Sequence, residues 1–268
     1  MEQFDLIIIG GGAAAFAAAI RANDLKAKTA IINTGLPLGG TCVNVGCVPS
    51  KALLWAGETF HHAKYHGIPG IELELKSFDF QKVVQDELAL VEKLRTEKYE
   101  KVLGNLEHVT LFESKATFTS SHEVEVNGEV LKAEKFIIAV GSTANVPPIE
   151  GIQNTGYLPH IEALRLEQQP KELIVVGAGP VGLEFAQMYS RFGTKVTLLE
   201  YGPSIFGSGE AELINKLAEI LTNEGITIHT EAAATKACME HGKKILTFEK
   251  DGKEDEAAAD EILLAAGK

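Results

Sequence analysis

Uninterrupted apolar runs, rather than alternating ones, begin two long stretches of the chain. The stretch FDLIIIGGGAAAFAAAI at residues 4–20 predicts a buried strand from Phe4 to Ile9, a glycine turn and an alanine-rich helix. The stretch KELIVVGAGPVGLEFAQMYSRFG at residues 171–193 repeats that design, and a further apolar run, KVTLLE, follows it. Continuous runs of this kind are typical of strands in a parallel sheet that is covered on both faces.

Alternating segments and a closing apolar strand follow each of these two units. After the first unit come VTLFESKATF, EVEVNGEVLKA and KFIIAVGS, and after the second come ITIHTEAAATKACME, KKILTFEKDGKE and DEILLAAGK. An Asn-Gly or Asp-Gly pair between alternating runs predicts a hairpin. We therefore infer an internal duplication and an α/β fold with two Rossmann-like dinucleotide-binding domains, each with a β-meander.

The duplication predicts where the domains and the insertion lie. We expect one domain at residues 1–146 and the other at 147–268, with the four-proline segment 145–170 as the linker zone. The first copy is longer because of an insertion at about Gly39–Leu103, which includes a long amphipathic helix at about Phe80–Leu103. Apolar residues at helical spacing mark its expected buried face: Val84, Leu88, Val91 and Leu94.

Composition and charge narrow the classes of function. The chain has 268 residues, 25 basic and 37 acidic side chains and a net charge of −12, which argues against a nucleic-acid or anionic-membrane partner. The uncharged stretch Leu6–Ile20 is shorter than the ~18 residues of a transmembrane helix and contains glycines. Three cysteines are too few for a secreted disulfide framework. We expect a cytoplasmic protein without a membrane partner.

The first glycine turn is a variant of the dinucleotide-binding fingerprint, with Gly10, Gly12 and Ala15. In that motif one glycine makes the tight turn, the next lets the backbone approach a pyrophosphate, and the third position needs only a small side chain. Asn33 stands where an acidic residue is expected to hold ribose hydroxyls. It either hydrogen-bonds the ribose without a charge or is only a turn residue.

The second glycine turn, with Gly177, Gly179 and Gly182, is complete. The strand that follows ends at Glu200, where a carboxylate can bind both ribose hydroxyls of NAD and repel a 2′-phosphate. Tyr-Gly-Pro follows, without a nearby arginine. This pattern predicts a preference for NADH over NADPH.

The segment GGTCVNVGCVPSK contains two cysteines, Cys42 and Cys47, five positions apart. In a regular helix this spacing separates Cα atoms by roughly 8–9 Å, beyond the ~7 Å at which a disulfide forms. If the cysteines pair, the backbone between them must be irregular, and Gly46 permits that.

The surroundings of the cysteine pair favour redox chemistry. Pro49 suits the first turn of a helix, whose positive end would favour the thiolate of Cys47, and Lys51 adds a positive charge. A zinc site is the alternative, but no second pair of ligands has the required spacing. We expect Cys238 to be an ordinary buried thiol. We expect three histidines to lie at a solvated helix end: His61, His62 and His66.

On these motifs the chain resembles the FAD-dependent pyridine nucleotide–disulfide oxidoreductases with a Cys-x4-Cys centre. The segments IIGGGAAAFAAA, GGTCVNVGCVPSK, IIAVGS, VVGAGPVGLE and LLAAGK occur in the order of that family and cover essentially the whole chain. Within the family, GGTCVNVGCVPSK and TEKYEKVLG are most similar to mercuric reductases. The first domain would then bind FAD and the second NAD(P)H.

The resemblance implies roles for individual residues. Cys47 would lie against the flavin, and Cys42 would meet the substrate, so that the two form a redox-active disulfide and bind Hg(II) as substrate only. Lys51 would lie near the flavin and pair with Glu184, a counter-charge that a buried lysine requires. The further cofactor-binding residues implied are Gly40, Thr41, Ala116, Ala139, Gly141, Ser142 and Gly267.

The resemblance leaves the substrate open. Electrons would pass from NADH through FAD to the cysteine pair and on to Hg(II); a dihydrolipoyl dehydrogenase or other small-disulfide reductase is the alternative, and a flavin- or NADH-binding module without turnover is the third. Family members continue past the position of Lys268 into a Gly-Asp segment and a dimerisation domain. The resemblance thus implies a homodimer for full-length proteins and predicts that the dimerisation domain is absent here.

Overall fold

The computed structural model describes residues 2–268 and divides into two compact units. The first contains the chain up to Pro49 together with Glu87–Ser142, and the second contains Ser50–Asp86 and Thr143–Lys268. Part of the expected insertion therefore packs with the second unit. The domain boundary near residue 146 stays a prediction.

The secondary structure follows the duplicated pattern. The helices are α1 (Ala13–Asp24), α2 (Gly40–Val45), α3 (Cys47–Tyr65), α4 (Phe80–Arg95), α5 (Lys101–Leu103), α6 (Ile152–Thr155), α7 (His160–Ala163), α8 (Pro180–Phe192) and α9 (Ala211–Asn223). The strands are β1 (Glu2–Ile9), β2 (Thr29–Asn33), β3 (Val109–Glu113), β4 (Ala116–Ser120), β5 (Glu123–Val126), β6 (Glu129–Ile138), β7 (Glu172–Val176), β8 (Lys195–Leu199), β9 (Thr227–His229), β10 (Ala233–Glu240), β11 (Lys243–Lys250), β12 (Lys253–Ala259) and β13 (Glu261–Leu264).

The first unit is built on a six-stranded sheet in the order β3-β2-β1-β6-β5-β4. The four strands β3, β2, β1 and β6 are parallel, and the meander strands β5 and β4 continue the sheet antiparallel to β6. Strand β1 lies at the centre, where Ile7 is paired with Ala30 of β2 and with Phe136 of β6. Because both faces of this strand are covered, Ile7 and Ile8 are fully buried.

The second unit repeats this order in a four-stranded parallel sheet, β13-β7-β8-β9, with a separate antiparallel sheet, β10-β11-β12. In each unit the strand before the glycine turn is central, the next two strands lie on one side, and the strand that closes the meander lies on the other. The two units thus share one strand order, and the duplicated α/β Rossmann-like architecture is confirmed.

The closing strands of the two copies differ. In the first unit, β6 runs without a break from the meander into the parallel sheet, whereas in the second unit Asp260 separates β12 from β13. One carboxylate oxygen of Asp260 accepts the backbone N–H groups of Lys171 and Glu172, each at 2.9 Å, and the other accepts Lys243 Nζ at 2.5 Å. These bonds stabilise the corner at which the chain leaves one sheet for the other.

The long amphipathic helix at Phe80–Leu103 is confirmed, with two differences. A π-helical segment, Thr96–Glu100, lies between α4 and α5. Val84 and Val91 are buried as expected, but the polar Glu87 is also buried and Leu88 is 39% exposed. The buried face of α4 therefore includes Glu87 in place of the expected Leu88.

The proline-containing segment at residues 145–170 is not a free linker. It contains α6 and α7, and its apolar side chains Ile149, Ile152, Ala163 and Leu164 are buried in the second unit. The expectation of a linker was wrong because prolines mark irregular backbone without excluding a packed one. Among residues 2–268, no helix is long and apolar enough to cross a membrane.

Candidate redox centre and nucleotide sites

The first glycine turn joins β1 to α1 in very little space. Gly10 has φ 122°, and a Cβ added there would overlap the carbonyl oxygen of Ala139. A Cβ at Gly11 would lie 2.5 Å from Asn33 Oδ1, so the amide at the end of β2 lies over the turn. Asn33 Nδ2 donates to the carbonyl of Leu36 at 3.0 Å, as expected of a turn residue, and its Oδ1 faces the glycine turn.

The N-terminus of α1 is suited to an anion. Its N-cap is Gly12, which supplies no side-chain hydrogen bond, and its first turn contains no acidic residue. The first N–H groups of the helix therefore have no side-chain partner here, and the helix dipole favours negative charge at this end. Ala15, at the third fingerprint position, is fully buried against the sheet.

The segment before the cysteines lies directly on this turn. Gly39 N–H donates to the carbonyl of Gly11 at 2.7 Å, and a Cβ at Gly40 would lie 2.7 Å from the Cα of Gly12. Both Gly39 and Gly40 have positive φ, which an L side chain adopts only with strain. The contact is made backbone to backbone, and it needs glycine at positions 39 and 40, whereas a Cβ added at Gly12 would lie at an ordinary 3.8 Å from the Cα of Gly40.

The backbone is irregular between the two cysteines, as their spacing predicts. Helix α2 ends at Val45, α3 begins at Cys47, and Gly46 lies between them with φ −131° and ψ −117°. A Cβ at Gly46 would lie 2.8 Å from the carbonyl oxygen of Thr41, so the break also needs glycine for close approach.

Cys42 and Cys47 are exposed free thiols, as in the reduced form of a dithiol centre. Partial burial raises the pKa of the Cys42 thiol, and the hydrogen bond and charge of Cys47 raise it further, whereas the backbone N–H of Cys47 acts against this rise. The two sulfur atoms therefore lie close enough to interact.

Tyr99 is a residue of this centre that our sequence reasoning missed. The π-helical segment places its ring edge-on to Phe16, with centroids 4.8 Å apart, and within 2.9 Å of a Cβ added at Gly39. Burial and the charge of Cys42 raise the pKa of the Tyr99 phenol, which keeps it protonated. The available signal was an aromatic residue in a helix with charged neighbours, and nothing in the sequence relates it to Cys42.

The second glycine turn has the three features that its fingerprint predicts. Gly177 has φ 102°, and a Cβ there would lie 2.6 Å from the carbonyl oxygen of Ala265. A Cβ at Gly182 would overlap the carbonyl oxygen of Gly177, so this position serves helix–strand packing. Gly179, the N-cap of α8, has nothing within 4 Å of an added Cβ, which leaves its backbone open to a ligand.

Glu200 follows β8 and reaches this turn. Its Oε2 accepts the N–H of Ala178 at 2.7 Å, and its Oε1 accepts the N–H of Gly202 at 2.7 Å. The side chain is half-buried. The two backbone bonds fix the carboxylate beside the open Gly179 and leave further acceptor sites on each oxygen.

Lys51 and Glu184 form an ion pair within the second unit, although they are far apart in sequence. The expected burial is wrong, since the side chains are 60% and 38% exposed. Lys51 lies one helical turn after Cys47 on α3, a position that follows from chain geometry. The ion pair is thus present without the low-dielectric surroundings that we expected.

The remaining predicted residues are spread over both units. Ala139 follows β6 and lies on the first glycine turn, whereas Ala116 begins β4 and packs into the core on the sheet. Gly141, Ser142 and Gly267 are exposed, and the carbonyl of Gly267 accepts the N–H of Asn145 at 2.9 Å.

The alternative of a zinc site depends on a cluster of ligand side chains. Within residues 2–268, no three His, Cys, Asp or Glu side chains are grouped to hold a metal ion. Cys238 is half-exposed on β10 and donates weakly to Glu240, so the expectation of a buried thiol was wrong. His62 lies 3.9 Å from Glu58 on the solvated side of α3.

Comparison with known proteins gives a consistent picture. The chain is 36% identical to a mercuric reductase of Bacillus cereus over 266 residues, which cover 99% of this chain and 42% of that protein. It is 38% identical to a dihydrolipoyl dehydrogenase of Thermus scotoductus over 276 residues, which cover 100% of this chain and 58% of that protein. The chain thus spans about half the length of the curated relatives that it matches.

Solved structures and a family profile agree with these relatives. The Cu(II) complex of the HOCl-induced flavoprotein disulfide reductase RclA from Escherichia coli is 26% identical, with a TM-score of 0.86 over 100% of this chain and 57% of that chain. The sequence profile of the pyridine nucleotide-disulphide oxidoreductases matches residues 4–268. The chain therefore belongs to the pyridine nucleotide-disulphide oxidoreductase family.

Proposed function

We propose that this chain is the nucleotide-binding and dithiol part of a flavin-dependent oxidoreductase that passes electrons from NADH to Cys42 and Cys47 and on to Hg(II). One observation carries the proposal. Two exposed, interacting cysteines lie on a helix break whose preceding segment contacts the first glycine turn backbone to backbone. Such a dithiol can exchange electrons with a cofactor on one side and a soluble substrate on the other.

The residues of the first unit fit FAD. The uncapped N-terminus of α1 and the narrow Gly10–Gly12 turn suit a pyrophosphate, and Asn33 lies over that turn at the end of β2. Gly10, Gly12 and Asn33, with Gly40 and Thr41 beside them, would hold the cofactor. When bound, FAD supplies two-electron transfer between a nicotinamide and a disulfide.

The chain's own side chains would then divide the work. The open Gly179 and the fixed carboxylate of Glu200 would bind the nicotinamide nucleotide, and the Lys51–Glu184 pair would orient charge. As the Cys42–Cys47 disulfide opens it takes up two electrons and two protons and becomes a dithiol. With the dithiolate binding the metal substrate, the net reaction is NADH + Hg(II) → NAD⁺ + H⁺ + Hg(0).

Reduction of a small disulfide is the second candidate, favoured by the dihydrolipoyl dehydrogenase relatives. Three mercuric reductases match 99–100% of this chain at 33–36% identity, and with the resemblance of the cysteine segment they are the reason that Hg(II) is preferred here. The same dithiol would serve either substrate, by metal binding in one case and by thiol–disulfide exchange in the other.

A single-turnover experiment with the 268-residue chain and added FAD tests the proposal. Under anaerobic conditions, at least two equivalents of NADH per chain should raise the free thiol count from one to three and leave the flavin absorption bleached, because the disulfide and the flavin each take up two electrons. Hg(II) should then restore the absorption faster than lipoamide does. Cys47→Ser should still bind NADH but show no such thiol change. Faster recovery with lipoamide would favour the second candidate, and flavin that NADH never bleaches would leave only a binding module.

A further inference from the structure

The side chain of Asn44 holds the backbone that leads into the cysteine pair. It lies in α2 between two buried valines and is only 3% exposed. Its Nδ2 donates to the carbonyls of Pro37 at 3.1 Å, Leu38 at 3.0 Å and Gly40 at 2.9 Å. One amide group thus joins the helix to the loop Pro37–Gly40 that precedes it.

The chemistry of these partners settles the orientation of the amide. All three are carbonyl oxygens, which only accept, so the nitrogen must face them and Oδ1 must point the other way. Within residues 2–268, Oδ1 is buried and has no hydrogen-bond partner. A buried acceptor without a donor is destabilising, because it has lost its hydrogen bonds to water. The structure therefore uses this side chain as a donor, at the expense of its acceptor.

The loop that Asn44 holds is the one that contacts the first glycine turn. Gly39 N–H donates to Gly11 at 2.7 Å, and Gly40 lies against Gly12. Gly39 and Gly40 both have positive φ. Glycine adopts positive and negative φ about equally readily, so the surroundings must select the positive value. Cys42 follows two residues later. Hydrogen bonds to carbonyls on both sides of Gly39 therefore restrict the backbone immediately before Cys42.

We propose that Asn44 is a positioning residue of the dithiol centre: it holds the loop Pro37–Gly40 so that Cys42 stays where it can close a disulfide with Cys47. This rests on the proposed function, since it assumes that the two cysteines are a redox pair. Without the amide, Cys42 has a wider range of positions in the reduced protein. Formation of the disulfide then costs more conformational entropy. The disulfide forms less readily as a result.

The test measures the equilibrium between the dithiol and the disulfide in the 268-residue chain. A Cys238→Ser background leaves only the two thiols of interest, and equilibration in mixtures of reduced and oxidised glutathione followed by thiol counting gives the equilibrium constant. Each disulfide formed releases two electrons and two protons, which reduce one oxidised glutathione to two thiols. We expect Asn44→Ala to lower the constant about tenfold, equivalent to about 30 mV.

Two matched variants separate positioning from general stability. Val45→Ala removes buried methyl groups from the same helix without touching a hydrogen bond, and it should lower the melting temperature but change the constant less than twofold. Asn44→Ser can still bond back to Gly40 but reaches neither Pro37 nor Leu38, so it should behave like Asn44→Ala.

The results distinguish the two proposals. The inference is overturned if the equilibrium constant of Asn44→Ala is less than threefold below that of Val45→Ala. It is also overturned if Asn44→Ser has the wild-type constant. In either case Asn44 is only a structural residue. If the wild-type cysteines do not pair in oxidised glutathione, the proposed function fails and this inference fails with it. Pairing in the wild type with unchanged Asn44 variants removes only the inference.

Discussion

Two polar side chains occupy equivalent positions in the duplicated units and differ in charge. Asn33 ends β2 and Glu200 follows β8, and each lies over the glycine turn of its own unit. The amide of Asn33 turns its nitrogen toward its own loop, whereas the carboxylate of Glu200 accepts N–H groups from both the turn and the next loop. A carboxylate so fixed can bind vicinal hydroxyls and repels a phosphate at the same place.

At the scale of this residue, we predict that the chain binds NADH at least tenfold more tightly than NADPH, a difference of about 1.4 kcal/mol. Glu200→Arg should narrow or reverse that preference, because it replaces the repelling charge with an attracting one. Calorimetric titration with both nucleotides measures it, and Glu219→Gln, a change on the exposed side of α9, is the control. Equal affinities in the wild type would show that Glu200 does not select the nucleotide.

Residues of the candidate site were predictable where local rules apply. The glycine positions follow from the conformations that a strand–turn–helix requires, and the break at Gly46 follows from the spacing of two cysteines. The resemblance predicted that Lys51 pairs with Glu184. It did not predict that the pair is exposed, because exposure depends on which segments cover a surface. Tyr99 and Asn44 were missed for the same reason.

At the scale of the element, the two later glycines of the second turn have different tasks. A Cβ at Gly182 would overlap the carbonyl oxygen of Gly177, in the turn that follows β7. Gly179, in contrast, has an unstrained φ of −73° and open space around it. Helix packing depends on Gly182, and we predict that the approach of a ligand depends on Gly179.

We therefore predict opposite outcomes for two alanine substitutions. Gly182→Ala should lower the melting temperature markedly, because the helix must move away from the strand. Gly179→Ala should melt within a few degrees of the wild type and yet bind NADH at least tenfold more weakly, because its methyl group occupies the space of the pyrophosphate. Thermal unfolding and NADH titration are the measurements. Normal NADH binding by Gly179→Ala would contradict the assignment.

Helices α8 and α9 are joined at one carboxylate. Glu224, just after α9, accepts both Arg191 Nη2 at 2.9 Å and Arg191 Nε at 3.0 Å, and Gln187 adds two further bonds. The side chains of Arg191 and Glu224 are only 16% and 11% exposed. Burial alone would raise the pKa of Glu224, but the hydrogen bonds and charge of Arg191 bring it below the usual value.

Glu224→Gln should destabilise the second unit by about 2–3 kcal/mol, because it leaves a nearly buried guanidinium without its counter-charge. Since the folded-state pKa is depressed, this stabilisation is fully present above the unfolded-state value of about 4.3 and is lost as the pH falls through the folded-state pKa. The difference in melting temperature between Glu224→Gln and the wild type should therefore shrink in acid. Glu219→Gln is the control, and a difference that persists at low pH would refute the account.

At the scale of the whole molecule, the two candidate nucleotide sites are unequally enclosed. The parallel sheet of the second unit buries Ile262, Leu263 and Leu264 of its closing strand. In the first unit, the equivalent strand ends with Ile138 66% exposed, and Val140 just after it is 65% exposed. The apolar surface at the end of β6 is thus uncovered, at the same edge of the sheet as the glycine turn.

We predict that the 268-residue chain binds NADH stoichiometrically and FAD more weakly, so that repeated turnover is slow although a single turnover occurs when FAD is added in excess. In the second unit, the closing strand of the four-stranded parallel sheet is buried, whereas the first unit's glycine turn borders uncovered apolar surface. Flavin stoichiometry after gel filtration, with NADH titration of the same sample, measures both affinities. Stoichiometric retained FAD with brisk NADH-dependent Hg(II) reduction would contradict this prediction.

The amino-acid sequence by itself determined the duplicated strand–turn–helix units, the hairpins and the cysteine-bearing break, because hydrophobic period, glycine conformation and turn chemistry act over a few neighbouring residues. The tertiary structure alone decided the rest: the packing of residues 50–86 with the second unit, the burial of segment 145–170, the corner at Asp260, and the positions of Tyr99 and Asn44. These features depend on contacts between segments that approach each other only when the sheets form, and no local pattern encodes them.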